Sequence, residues 1–499
     1  MTRSRNSFGY MNQARRPNPK RALISGAMWT VGSRWTSKVM GLASTVIVAR
    51  LLLPADYGIV AMSMLVVGLI QAMLDFGAAT ALLRKGAVTC AEINSAWTLR
   101  LLEGCAVGLL LIAAAAPSAH YFREPRVEMV LWVLAACIAI NSASNIGFTL
   151  AQKEFNFSLE FRHNLICKLL GIGATIAAAY VLRDYRALVI GVATGYTSEC
   201  IMSYAMHPYR PRWDTTKISD IWAVTKWLML AGVGGFILRK SDELIAARIG
   251  TTGEYGQYNV GADLGQLPTG ELGPAILRAF LPVLSSIQDD VTRTNQAVLK
   301  TLSAVNTITL PAGLGFAAVA VPATSLILGS HWNEAAPLVA LFALAGVVQF
   351  VMSPLSTLLV LRGHTRLQNH IVWAEFAIFA LCSLVLVPLI HLQGLVWARI
   401  IAGSANAVVT AVCAKVYCQV ALRAVVKALL RPTVGAIGMH LLVSLVTQWM
   451  PGSTWSLAIS ITLGVLAYTT WTTLTWFVAG RPEGLESTVF DYFTSGKSV

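Results

Sequence analysis

The dominant pattern along the chain is a series of long apolar segments separated by short polar ones. A helix needs about 20 apolar residues to cross roughly 30 Å of hydrocarbon, and about fourteen segments approach or exceed that length. They predict an all-α integral membrane protein. The predicted spans are 23–49, 58–83, 93–117, 129–150, 165–182, 187–206, 223–249, 256–285, 301–329, 334–361, 370–392, 393–417, 426–449 and 455–480.

Two stretches that begin near the end of an apolar segment, 49–58 and 247–256, share an Ala-Arg pair and an acidic-Tyr-Gly triplet. In both copies an acidic residue and a glycine follow within the next apolar segment, around Asp75 and Glu271. The placement indicates two related bundles, as in many transporters. We predict two pseudo-symmetric six-helix lobes around a central cavity, plus two C-terminal helices.

The longest polar connection, 207–222, opens with a Pro-x-x-Pro motif that resists helix formation, and we predict that it links the lobes. The predicted organisation is a basic cytoplasmic tail at 1–22, an N-lobe at 23–206, a cytoplasmic linker at 207–222, a C-lobe at 223–417, two further spans within 418–480 and a cytoplasmic tail at 481–499.

Composition and charge fit this picture. Hydrophobic residues make up 56% of the chain and charged residues only 12%, whereas soluble domains carry about 25% charge. The net charge of +14 is explained by Lys and Arg in alternate loops and in the first 22 residues, which contain no acid. By the positive-inside rule both termini are expected in the cytoplasm, and no nucleic-acid partner is inferred.

Arg34 and Lys38 lie near the middle of the first span, one helical turn apart and on the same face. Each ionisable group at that depth costs on the order of 2.5–3.5 kcal/mol, so such groups normally face a cavity or a partner. We expect them to bind an anionic substrate, particularly a phosphate or pyrophosphate. The alternative is an ion pair with an acid on another span, such as Glu103 or Asp75.

Four carboxylates within the spans have no cation at helical spacing. Each either binds a coupling proton or sodium ion or pairs across a helix interface. They are Asp75, Asp263, Glu271 and Glu375. By contrast, Arg100 is expected to pair with Glu103, and the charged group 239–243 is expected to neutralise itself within one helix.

Six residues of the repeated stretches lie at predicted outer helix ends. They form either charged latches of an outer gate or interfacial anchors. They are Arg50, Asp56, Tyr57, Arg248, Glu254 and Tyr255. The segment 256–285 is rich in Gly and Pro, and we expect it to break or bend, either as a gating helix or as a packing kink.

Enzymatic motifs are missing from the sequence. It contains no Walker loop, no His-Glu-x-x-His, no Cys-x-x-Cys and no outer-loop Asp-x-Asp. We therefore expect no cofactor, no metal site and no enzymatic activity. The short predicted external loops leave no room for an extracytoplasmic catalytic domain.

From residue 23 to about 480 the chain resembles the polysaccharide transport family of lipid-linked oligosaccharide flippases. The superfamily of that family also holds multidrug antiporters and the peptidoglycan-precursor flippase. The motifs that carry the resemblance are 49–58, Asp75-Phe-Gly77 with Arg84, 250–258, 281–285 with Gln288-Asp289, and 328–332.

The resemblance implies a bacterial inner-membrane protein that moves undecaprenyl-pyrophosphate-linked repeat units by alternating access, for exopolysaccharide, capsule or lipopolysaccharide assembly. It implies membrane lipids, a polymerase and a chain-length regulator as partners, and H+ or Na+ as a coupling ion. Arg34 and Lys38 would hold the pyrophosphate. The alternatives are a multidrug or other small-molecule antiporter on the same scaffold and a membrane-embedded polysaccharide polymerase or ligase.

Overall fold

The computed structural model of the chain describes residues 19–74, 82, 88–153, 157–287, 289–449, 454–478 and 480. Helices supply the regular structure of these residues, and no strand occurs among them. This confirms the predicted all-α class. The chain divides into two compact units, unit 1 at Met1–Ser241 and unit 2 at Asp242–Val499.

The described residues of unit 1 form seven helices and most of an eighth. They are α1 (Pro19–Ala49), α2 (Pro54–Leu74), α3 (Cys90–Phe122), α4 (Arg126–Ser142), α5 (Gly147–Lys153), α6 (Phe157–Leu182), α7 (Arg186–Met206) and α8 (Ile218–Ile249). The division between the units falls inside α8, after the predicted linker, and the lobe boundaries proposed above stay a prediction.

The described part of unit 2 begins in the last turns of α8 and continues through eight further α-helices. They are α9 (Thr252–Ser286), α10 (Val291–Ala318), α11 (Ala320–Leu328), α12 (Ala336–Val351), α13 (Ser353–Leu361), α14 (Thr365–Cys418), α15 (Leu422–Trp449) and α16 (Thr454–Val478). A 3-10 helix, Ser330–Ala335, joins α11 to α12.

Among the described residues, seven helices are long and apolar enough to cross a membrane, or up to nine when each of two bent pairs counts as one span. The bent pairs are α4 with α5, at 57°, and α10 with α11, at 73°. The chain is therefore a multi-pass membrane protein, and the total of fourteen spans stays a prediction.

The helix α14 contains two of the predicted spans. Its 54 residues would extend about 80 Å if straight, far more than one crossing needs. The backbone leaves the helical region at Ile390 (φ −133°, ψ 22°) and His391 (φ 54°, ψ −134°), just after Pro388. This break confirms the predicted division between 370–392 and 393–417.

The helix α9 shows no break in segment 256–285, and the alternative expectation, a bend, stays a prediction. It runs as one helix from Thr252 to Ser286. Its glycines serve close packing instead: a Cβ at Gly265 would lie 2.6 Å from the Val339 carbonyl oxygen and 2.7 Å from Phe342 Cβ. Small residues let membrane helices approach closely, and here they bring α9 against α12.

The connection between α7 and α8 is fixed to the start of α3. The Tyr209 hydroxyl donates to Asn94 Oδ1 at 2.7 Å, and the Lys217 backbone N–H donates to Ser95 Oγ at 3.2 Å. Burial raises the pKa of Tyr209 to about 12, so this hydroxyl stays protonated and keeps donating at neutral pH. The connection is thus an ordered part of unit 1.

Candidate cationic site

One face of α1 carries the two cations expected from the sequence. Arg34, Lys38 and Gly41 follow the i, i+4, i+7 spacing of a single helical face. Both cationic side chains are exposed. Lys38 lies eleven residues, about 16 Å, from the end of α1 at Ala49, well inside a helix of 31 residues.

Lys168 on α6 adds a third cation to this face, which the sequence did not predict. A Cβ at Gly41 would lie 3.7 Å from Lys168 Nζ, so the ammonium group rests against α1 at the one position in this stretch that has no side chain. The charges of Lys38 and Lys168 act on each other. Contact between the Trp29 and Phe161 rings, 5.3 Å between centroids, also holds α1 against α6.

Lys168 escaped prediction because the predicted span began at residue 165 and left it at the membrane edge. The helix α6 begins at Phe157, so Lys168 lies about 16 Å along it. Apolar residues such as Phe157 and Phe161 occur among the polar residues before residue 165. They were the sequence signal that the helix begins before the predicted span.

Beside the cationic face, α1 exposes an apolar face. Trp35 is 50% exposed, Val39 61% and Leu42 38%, again at i, i+4, i+7 spacing and one residue on from the cations. The two faces are therefore adjacent along the same helix. Such an arrangement can bind an anionic group and an apolar chain of one amphiphilic molecule side by side.

Like charges held close together repel, and an anion between them relieves that repulsion. A guanidinium offers paired donors to phosphate oxygens, and ammonium groups offer compact charge. Arg34, Lys38 and Lys168 therefore have the chemistry that phosphate or diphosphate binding needs, and their role as a binding site stays a prediction. In the described part of the chain no group of three or more His, Cys, Asp or Glu residues has the arrangement of a metal site.

The expected coupling carboxylates are not gathered in one place. Asp75 lies outside the described residues. Asp263 is exposed and Glu271 half-buried, both on α9. Glu375, on the first part of α14, accepts a short hydrogen bond from Asn406 Nδ2 on the second part. The role of each as an ion site stays a prediction.

Among the described residues of unit 2, the most buried carboxylate has a partner that sequence spacing could not reveal. Asp242 Oδ2 lies 2.6 Å from Arg399 Nη1 on α14 and accepts a hydrogen bond of 3.0 Å from the Tyr258 hydroxyl. The Asp242 side chain is 2% exposed and that of Arg399 30%. The partner of Asp242 thus lies outside 239–243, and the expected pairing of Arg239 and Lys240 with acids of their own helix stays a prediction.

The repeated stretches have a common structural role at helix N-termini. Asp56 Oδ2 accepts from the Leu53 backbone N–H at 2.9 Å at the start of α2. Glu254 Oε2 accepts from the Thr251 N–H at 2.7 Å at the start of α9, in a full capping box. Both acids therefore cap a helix from its third position, which explains their spacing.

The remaining gate residues differ in burial. Tyr57 is half-buried beside Val48 and Leu52, whereas Tyr255 is fully buried. Arg50 is exposed and Arg248 half-buried. An acid that caps a helix can also form part of a charged latch. The outer gate predicted for these six residues therefore stays a prediction.

Comparison with known proteins gives the family. A family model described as "Polysaccharide biosynthesis protein" matches residues 47–337. The chain belongs to this family. The match covers more than half of the sequence and extends from the end of α1 into α12.

Two relatives of the chain have names that describe a role in polysaccharide biosynthesis. The lipopolysaccharide biosynthesis protein WzxC of Escherichia coli (strain K12) is 22% identical over 344 residues, which cover 68% of this chain and 70% of the relative. The succinoglycan biosynthesis transport protein ExoT of Rhizobium meliloti (strain 1021) is 22% identical over 332 residues, 66% of each chain.

Among solved structures, the lipid II flippase MurJ in an inward closed conformation has a similar fold. The TM-score is 0.70 at 14% sequence identity, and the match covers 91% of this chain and 100% of that one. At this identity the likeness shows the fold alone. It supports the predicted helical membrane architecture.

Proposed function

We propose that the protein flips undecaprenyl-pyrophosphate-linked oligosaccharide repeat units across the bacterial inner membrane by alternating access. The product would serve exopolysaccharide, capsule or lipopolysaccharide assembly. The observation that carries the proposal is the pair of adjacent exposed faces on α1, one cationic and one apolar. A lipid diphosphate is an amphiphile with this combination of groups.

Arg34 and Lys38 hold the diphosphate in this proposal, and Lys168 contributes the third positive charge. The polyprenyl chain lies along Trp35, Val39 and the surrounding lipid. The family membership and the transport function in the name of the ExoT relative support the same assignment.

The finer points of the proposal concern partners and orientation. Both termini face the cytoplasm, as the distribution of Lys and Arg indicates. Transport depends on H+ or Na+, and a polymerase with its chain-length regulator consumes the flipped units. The protein itself performs no catalysis and uses no cofactor.

The main alternative is a multidrug antiporter on the same scaffold. Three neighbouring cations repel cationic drugs, so the charge of the site disfavours that cargo. A polymerase or ligase is the alternative from another class. That class needs acceptor and donor sites outside the membrane, for which the predicted external loops are too short.

The test is polymer production in a strain that lacks its own copy of the gene. Arg34→Ala with Lys38→Ala should lower polymer yield at least about 100-fold, because each lost charge-assisted hydrogen bond weakens binding by about 1.5–3 kcal/mol. Lipid-linked repeat units should accumulate and stay inaccessible to reagents added outside the cell.

Two variants serve as controls. Arg34→Lys with Lys38→Arg keeps the charge and should restore most of the yield. Arg186→Ala removes an exposed cation at the start of α7, 3.7 Å from Asp184, and should leave the yield unchanged. Normal polymer from the double alanine variant would remove the diphosphate assignment, whereas normal polymer in the gene deletion would remove the function itself.

A further inference from the structure

A second polar site lies inside unit 1, where the span formed by α4 and α5 is broken. The two helices bend by 57° at residues 143–146. Side chains of neighbouring helices satisfy the backbone groups of the break. The Ala143 carbonyl accepts from the Tyr204 hydroxyl at 2.7 Å and from Trp97 Nε1 at 3.3 Å, and the Asn145 N–H donates to Ser203 Oγ at 2.8 Å.

Such a break within a membrane helix is tolerated only against protein or a water-filled cavity, and transporters place functional groups at breaks of this kind. Here the break is held by α3 on one side and α7 on the other. The helix break is therefore part of the packed structure of unit 1.

A chain of three polar side chains lies just before the break. Asn141, in the last turn of α4, accepts from Arg100 Nη2 of α3 at 3.5 Å through its Oδ1 atom. Its Nδ2 atom donates to Glu199 Oε2 of α7 at 2.6 Å. The amide thus joins a guanidinium to a carboxylate across three helices, with Glu199 as the acceptor.

Glu199 lies seven residues, about 10 Å, from the end of α7 at Met206. Arg100 is within electrostatic range of two carboxylates, Glu103 and Glu199. Glu103 is three residues from Arg100 on α3, the spacing of an ion pair within one helix. The Asn141 amide lies between Glu199 and the guanidinium, with a hydrogen bond to each.

The other titratable groups around Glu199 are a histidine, tyrosines and cysteines. Asp56 and Tyr57 of α2 lie near Tyr185, at the opposite end of α7. The nearby groups on α4, α6 and α7 are Cys137, His163, Cys167, Tyr196, Cys200 and Tyr204.

We propose that Glu199 binds and releases the proton that couples unit 1 to a pH gradient, a role that rests on the transport function proposed above. A charged Glu199 accepts the Asn141 hydrogen bond and holds α4 to α7 at the break. A proton on Glu199 removes the charge that strengthens this bond. Protonation therefore loosens α4 from α7 at the point where the span is already bent.

This assignment differs from the carboxylates singled out in the sequence. Glu199 is preceded by Tyr196, Thr197 and Ser198 and followed by Cys200, so nothing in its local sequence marks it. The helix break and the amide partner become visible only when α4 and α7 are packed together.

The test uses full-length protein in vesicles with an imposed pH gradient and a lipid-diphosphate oligosaccharide. Glu199→Gln, which mimics the protonated state, should abolish the dependence of the flipping rate on the gradient while some gradient-independent flipping remains. Glu160→Gln is the matched control, because Glu160 accepts from Gln152 Nε2 at 2.8 Å outside the cluster, and it should behave as the native protein.

A second readout does not need transport. Infrared difference spectra of the reconstituted protein at two pH values should show a protonated-carboxyl band that disappears in Glu199→Gln and persists in Glu160→Gln. Unchanged gradient dependence, or an unchanged carboxyl band, in Glu199→Gln would overturn the proposal. If the native protein flips no lipid, the function proposed above fails, and the carboxyl band still decides whether Glu199 titrates.

Discussion

The two units hold cations of their long helices in opposite ways. In unit 1, Arg34 and Lys38 expose their charged side chains on one face of α1, and Lys168 of α6 brings a third charge to that face. In unit 2, the Arg399 guanidinium lies 2.6 Å from the buried carboxylate of Asp242. The first arrangement leaves positive charge accessible to a ligand, whereas the second uses it to hold two helices together.

We expect this difference to separate a binding role from a structural one. A cation paired with a buried carboxylate is needed for folding, because its removal leaves the acid uncompensated. An exposed cation beside other cations contributes little to folding and attracts anions. Variants of the unit 1 cations should therefore lose transport, whereas variants of the Asp242–Arg399 pair should lose stability.

The largest effect is expected in unit 2. Arg399→Ala should lower the free energy of unfolding by about 3–5 kcal/mol, since it strands the Asp242 charge inside the protein. Thermal unfolding of purified protein in detergent measures this loss. Asp242→Asn combined with Arg399→Gln removes both charges and should recover much of the stability. A fully stable Arg399→Ala variant would contradict the structural role of the pair.

The next effect is expected in unit 1 and in a different assay. Lys168→Ala should reduce the flipping rate in vesicles about tenfold or more, because one charge-assisted contact of about 1.5–3 kcal/mol is lost. Its thermal unfolding should stay close to that of the native protein. Lys168→Arg should retain most of the rate. A destabilised Lys168→Ala with normal flipping would place Lys168 with the structural cations.

A smaller effect, of the same size in both units, is expected for the acids that cap a helix in each of them. Asp56→Ala and Glu254→Ala should each cost about 1 kcal/mol of stability, because each removes an acceptor from a helix N-terminus. Thermal unfolding tests this directly. A loss of transport in either variant much greater than the loss of stability would favour the additional gate role.

The smallest effect is expected for an ion pair whose cation is largely exposed. Arg126 Nε lies 2.7 Å from Glu124 Oε1, with side chains 48% and 9% exposed. Arg126→Ala should change the free energy of unfolding by at most about 1 kcal/mol, because water screens the guanidinium and Glu124 Oε1 keeps the backbone N–H of residue 126 as a donor at 3.2 Å. A loss as large as that of Arg399→Ala would show that exposure does not separate the two kinds of cation.

Much of the helical architecture follows from the hydrophobic pattern. The break of α14 at Ile390 and His391 was predicted because apolar runs lie on both sides of a short polar stretch. The intact α9 was not predicted, because the effect of its Gly and Pro residues depends on the helix packed against it. Gly265 faces α12, where a larger residue has no space.

The candidate site was only partly predictable. Arg34 and Lys38 follow from their spacing within one apolar segment. Lys168 depends on where α6 begins and on its packing against Gly41. Asp242 and Arg399 are 157 residues apart, and Asn141 and Glu199 are 58 apart, so no helical spacing connects them.

The central claim is that the cations of unit 1 bind a lipid diphosphate, and a binding titration tests it most directly. Native mass spectrometry of the purified protein can report the binding of undecaprenyl diphosphate and of undecaprenol, which has the same chain without phosphate. The native protein should prefer the diphosphate by at least about tenfold, and the triple variant Arg34→Ala, Lys38→Ala, Lys168→Ala should lose this preference. An equal preference for the diphosphate in the triple variant would contradict the account.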